Sequence, residues 1–94
     1  MSISVIQVTA NATTSTFIGH IPNGICNVVI TNDVNASVLV GTGSNLNQSN
    51  GLAMSPNSSV SFHTYPSSKG SDMYALIATG GTTGQVSMLI SSTD

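Results

Sequence analysis

The sequence predicts an all-β fold: a small antiparallel β-sandwich or jelly-roll-like barrel of about 7–8 short strands. Three observations predict it. Apolar residues alternate with polar ones in short runs that recur about every ten residues, separated by Gly, Pro and Asn turn signals. Ser, Thr and Asn occupy 36 of 94 positions, and their short polar side chains compete with the backbone hydrogen bonds of a helix while being tolerated in strands and turns. No amphipathic helical pattern of useful length interrupts this arrangement, and a hydrophobic content of 39% grouped in β-branched runs argues against disorder.

The elements follow in order. Ile3 to Val8 alternates and forms a first strand, with Ile3 and Val5 on one face. A polar stretch from Asn11 to Thr16 leads to a second strand, Phe17 to Ile21. Pro22-Asn23-Gly24 is a tight turn, because proline presets one backbone angle and Asn-Gly accepts positive φ. Ile25 to Thr31 and Ser37 to Gly41 are the third and fourth strands, and the short Asn32-Asp33-Val34-Asn35 break between them reads as a hairpin turn. Gly41 to Asn50 is a polar loop around a single Leu46. Leu52-Ala53-Met54 is a short strand segment, Ser55-Pro56-Asn57-Ser58 a turn, and Val60, Phe62 and Thr64 share one face of the next strand. Met73 to Ala78 and Gln85 to Ile90 are the last two strands, joined through Gly80-Gly81-Thr82-Thr83-Gly84.

A chain of 94 residues forms one domain, here 1–94, with 1–16 able to act as an extended N-terminal arm. Lys69, Asp33, Asp72 and Asp94 are the only Lys, Arg, Asp or Glu residues, 4% of the chain against about 25% in an average soluble domain. With one lysine and a net charge of -2 there is no basic footprint for phosphates, which argues against nucleic acid and anionic membrane surfaces as partners. The N-terminal MSISVIQVTA lacks the charged and apolar regions of a secretory signal, so synthesis in a cytoplasm is expected.

The chemistry on offer is sparse. Cys26, the only cysteine, sits in an apolar run and reads as a small buried hydrophobe, not a thiolate nucleophile. His20 and His63 are the only bases suited to neutral pH, no Gly-x-Ser-x-Gly elbow holds a serine, and no local spacing gathers metal ligands. The glycine-rich segments lack the lysine and the helix of a phosphate-binding loop. No enzymatic activity, cofactor or metal is expected. Sugar binding stays open, since Asn and Ser are good hydroxyl partners, although there is no Trp and only Phe17, Phe62, Tyr65 and Tyr74 supply aromatic faces.

The four charges all fall in predicted turns or at the chain end, leaving every predicted strand without an ion on either face. Met73 to Ala78 and Val86 to Ile90 are apolar at both parities, as in strands covered on two sides. The simplest second cover is another subunit, so Met73, Tyr74, Leu76, Ala78, Met88 and Leu89 are the candidate oligomer interface.

The order of segments is also informative. Val29-Ile30-Thr31-Asn32 leads to Ser37-Val38-Leu39-Val40-Gly41, then to Ser49-Asn50-Gly51-Leu52-Ala53-Met54-Ser55-Pro56-Asn57-Ser58 and to Met73-Tyr74-Ala75-Leu76-Ile77-Ala78. This order resembles the small β-rich decoration (cement) proteins of tailed bacteriophage capsids, over roughly Val28 to Ile90; Met1 to Gly24 lies outside it, and Asn57 stands where a glycine is often found. The resemblance implies a structural protein on the outer capsid surface of a virion. It implies a homo-oligomer, with a trimer favoured, that bridges neighbouring capsomers by contact with the major capsid protein. On that reading Ile3, Val5 and Val8 are the candidate capsid-contacting residues of the arm, adding a strand to a capsid protein. A head-fibre or tail subunit and a carbohydrate-binding β-sandwich module are the alternatives.

Overall fold

A computed structural model describes residues 2–12, 14–47, 50–65, 67, 69–78 and 83–92. The described residues form eight strands: β1 (Ser2–Ala10), β2 (Thr16–Ile21), β3 (Cys26–Asn32), β4 (Val38–Gly41), β5 (Leu52–Met54), β6 (Ser59–His63), β7 (Ser71–Ile77) and β8 (Gly84–Ser92). They form two four-stranded antiparallel sheets, ordered β1-β8-β3-β6 and β2-β7-β4-β5. Paired strands run β1 with β8, β2 with β7, β3 with β6 and β4 with β5, so the chain is one long antiparallel ribbon. The ribbon rolls up through the β3–β8 and β4–β7 pairings, which is the wiring of a jelly roll.

Period-2 alternation decides what lies between the sheets. Val28, Ile30, Val86, Met88 and Ile90 of the first sheet face Ile18, Ile21, Val38, Val40, Met73, Ala75 and Ile77 of the second, all of them buried. Ile6, Val8, Val60 and Phe62 close the margins of the first sheet. Cys26 is free and fully buried among these residues.

Strands β3 and β4 are not a hairpin. β3 pairs with β6 and β8, β4 with β5 and β7, and the residues between them cross from one sheet to the other. Asn32 makes that crossing possible. Its side chain is fully buried, its Nδ2 donates to the carbonyls of Ala36 and Ser55 at 3.0 Å each, and its Oδ1 accepts from the Val34 amide at 2.8 Å. One amide side chain therefore satisfies backbone groups of the β3–β4 crossing and of the β5–β6 turn, where Asn57 takes the left-handed conformation at φ 55°.

Asp72 is a second difference from the sequence reading. It lies within β7, because pairing with β2 continues past the apolar run to Ile21 opposite Ser71. The β2–β7 register shifts between Phe17 and Gly19, a bulge that leaves both Ile18 and Gly19 buried. A Cβ on Gly19 would stand 2.5 Å from Ile6 Cδ1 and 3.0 Å from Met88 Cε. Gly19→Val should accordingly lower stability by about 2 kcal/mol in urea unfolding, and an unchanged midpoint would show that the core has slack here.

Candidate functional site

The outer face of the β1-β8-β3-β6 sheet is built of matched rows. Val5 lies opposite Leu89, Leu89 opposite Val29 and Val29 opposite Ser61; in the next row Ile3, Ser91, Asn27 and His63 stand side by side, followed on the other side by Gln7, Ser87, Thr31 and Ser59. His63 Nδ1 and Asn27 Oδ1 share a hydrogen bond across their strands. Beyond that row the ladder continues through Thr64 N to the Cys26 carbonyl at 2.9 Å, which sets Ile25 and Tyr65 at the outward parity. None of these residues is Asp, Glu, Lys or Arg; an exposed carboxylate, Asp33, follows one row beyond Thr31, where its amide donates to the Gln85 carbonyl at 3.1 Å. Among the large apolar side chains that are exposed, Ile3 (63%), Val5 (66%), Leu89 (38%), Ile25 and Tyr65 belong to this face, whereas Phe17 and Leu52 belong to the other sheet.

The sequence-derived interface residues do not form one surface. Met73 and Met88 point into the core, at 7% and 0% exposure, and are withdrawn from the interface set. The reason is the strand period: in a run apolar at both parities, every second residue belongs to the interior. Tyr74, Leu76 and Ala78 are half-buried along the outward parity of β7, while Leu89 lies on the opposite side of the sandwich. The arm residues divide as well. Ile3 and Val5 flank Leu89, but Val8 packs against the core. In the free chain residues 2–10 are an edge strand paired with β8 from Ser2 opposite Ser92 to Ala10 opposite Gly84, not a free extension.

On the other sheet the loop after β4 supplies part of the cover that the apolar β4 and β7 require. Leu46 is buried, with its Cδ2 2.9 Å from where a Gly41 Cβ would stand, and the returning Gly51 closes over the buried Leu39. The loop holds its own shape: Asn50 Nδ2 donates to the Asn45 carbonyl, Asn50 Oδ1 accepts from the Asn47 amide at 2.8 Å, and the Leu46 amide donates to Ser15 Oγ at 2.9 Å. Between this loop, Thr14-Ser15 and Leu76 runs a cleft of about 420 Å³, lined by hydroxyls and amides around two leucines. Polarity made this loop look like a plain connection; only the lone Leu46 hinted that it folds back.

His20 on β2 and Asp72 on β7 are directly opposite each other, with Nδ1 and Oδ1 2.8 Å apart and both side chains more than half exposed. Among the described residues no group of three or more His, Cys, Asp or Glu is close enough to hold a metal ion. The pair ties the end of β2 to the start of β7, and Asn23 Oδ1, accepting from the Gly70 amide, adds a second tie there. In solvent such a contact contributes little stability.

Comparison of the chain with protein-family models, curated proteins and solved structures returned no match.

Proposed function

We propose that this protein is a structural virion subunit that decorates a capsid, binding as a symmetric oligomer, with a trimer favoured, across neighbouring capsomers. The observation that carries the reading is the run of ion-free rows on the outer face of the β1-β8-β3-β6 sheet, from Ile3 to Gln7 on β1, with Ile3, Val5 and Leu89 exposed in adjacent rows. A sandwich that meets only water normally wets such a face with charges. Burial against protein removes the apolar side chains from solvent without stranding an ion, and the interleaved Ser, Thr and Asn side chains supply hydrogen bonds at the contact.

Size supports a lattice role. Four strands about 4.8 Å apart, with rows spanning about five residues on β1 and β8 and about seven on β3 and β6 at about 3.3 Å each, give a patch of roughly 400 Å². That is about half of what one partner contributes to a standard stable interface. A single such contact is weak, and an oligomer that makes several at once on a regular shell gains strength from effective concentration. The jelly-roll wiring is common among virion proteins but also among lectins, so it adds only by analogy.

Images of particles assembled with and without this chain test the proposal. Added density bridging capsomers is the expected result, and identical particles would overturn it. Because the contact face holds no ions, attachment should change little between about 0.1 M and 1 M salt, over which the screening length falls from about 10 Å to 3 Å. Release at moderate salt, read by sedimentation with the particles, would contradict a neutral contact.

A further inference from the structure

We infer that the cleft between the Leu46 loop and β7 binds an uncharged saccharide. The cleft and the ion-free docking face belong to opposite outer faces of the sandwich, so a subunit seated by one presents the other to solvent. The inference concerns a different surface from the proposed capsid contact and does not require it.

Three features select the ligand class. The cleft is lined by Ser and Thr hydroxyls, Asn amides and two leucines, with no ionisable group, so a charged ligand would lose its hydration without gaining a counter-charge. The side chains of Ser44 and Asn45 have no hydrogen-bond partner among the described residues, leaving a hydroxyl and a carboxamide that can each donate and accept. Paired donor and acceptor groups are what vicinal hydroxyls need. Leu76 forms an apolar wall, and two residues earlier on the same outward parity Tyr74 packs edge-to-face with the half-exposed Phe17, their ring centroids 5.7 Å apart. Neither ring lines the cleft itself; the row runs along β7 from Leu76 and offers the C–H face of a sugar ring an apolar and aromatic surface.

Preorganisation is the further argument. Asn50 and Ser15 hold the backbone of residues 45–47 by hydrogen bonds, and Leu46 is anchored beneath them, so the groups that would meet a ligand are placed before it arrives. A volume of about 420 Å³ falls within the range of small-ligand sites.

The test uses the full chain and a panel of uncharged methyl glycosides (gluco, galacto, manno and N-acetylglucosamine), with N-acetylneuraminic acid as the charged comparison. Binding is followed by saturation-transfer NMR and by amide chemical shifts. At least one neutral glycoside should bind at millimolar concentration and move the resonances of residues 44–47 and Leu76. Asn45→Ala and Ser44→Ala should each weaken it severalfold, by the loss of one hydrogen bond, while Ser61→Ala on the opposite sheet leaves it unchanged. Three outcomes would each overturn the inference: no glycoside bound by the wild-type chain at millimolar concentration, shifts confined to another surface, or equal or tighter binding of the charged sugar. Because the shift map is read on the wild-type chain, a variant that fails to fold does not decide the matter.

Discussion

Replacing Asn32 with aspartate should remove about 3–5 kcal/mol of folding stability, the largest effect expected from any single polar substitution in this chain. The amide's two N–H bonds go to the carbonyls of Ala36 and Ser55, and a carboxylate has no hydrogen to offer either. Both carbonyls would then face a buried acceptor, at about 1–3 kcal/mol for each unsatisfied group, and the carboxylate would be charged in a site with no solvent access. Protonating it to escape the charge restores one donor at most. Domains hold some 0.05–0.15 kcal/mol per residue, about 5–14 kcal/mol for this chain, so the loss is a large share of the fold's stability. Thr31→Ser, one residue earlier and facing outward, should change stability by less than about 0.5 kcal/mol. Urea unfolding of the two variants decides. A loss below about 1 kcal/mol for Asn32→Asp would mean that the crossing between sheets is held by something other than this side chain.

Asn32 also shows where a sequence stops being informative. The strands are legible because alternation and turn residues are local properties, and the segments read from Ile3 to Ile90 recur in β1 to β8 with shifts of a few residues at their ends. Partnership between strands is not local. Asn32-Asp33-Val34-Asn35 has the composition of a hairpin turn whether the next strand pairs with the last or crosses to the other sheet, and only the burial of Asn32 distinguishes the two. For the same reason Met73 and Met88 looked like surface candidates: parity within a strand is readable, but which parity faces inward depends on the opposing sheet. The outer-face patch was half legible. Sequence alone marks Ile3, Val5 and Leu89 each as a contact residue, but their adjacency arises from the β1–β8 pairing between distant parts of the chain. The extra residue at Ile18 and the folded-back Leu46 left no periodic signal at all.

The second large effect is expected on association, with folding spared. Leu89 lies at the centre of the ion-free face, flanked by Val5 on β1 and Val29 on β3, and is exposed enough that aspartate there meets water in the free subunit. Leu89→Asp should therefore leave the urea midpoint within about 1 kcal/mol of the parent. In a contact the same carboxylate would be buried among Val5, Val29 and Ser61, with no lysine or arginine in the adjoining rows of its own chain. A penalty of about 3 kcal/mol or more corresponds to a weakening of at least a hundredfold for every contact that uses this face. The parent chain should sediment with capsid shells, and Leu89→Asp should not. Tyr74→Ser, on the opposite sheet, should sediment like the parent. If Leu89→Asp associates and sediments like the parent, the ion-free face is not the contact. If the parent itself is a monomer without affinity for a shell, the proposal of a decorating subunit fails with it, because nothing but water would then lie against the uncharged row of Val5, Leu89 and Val29.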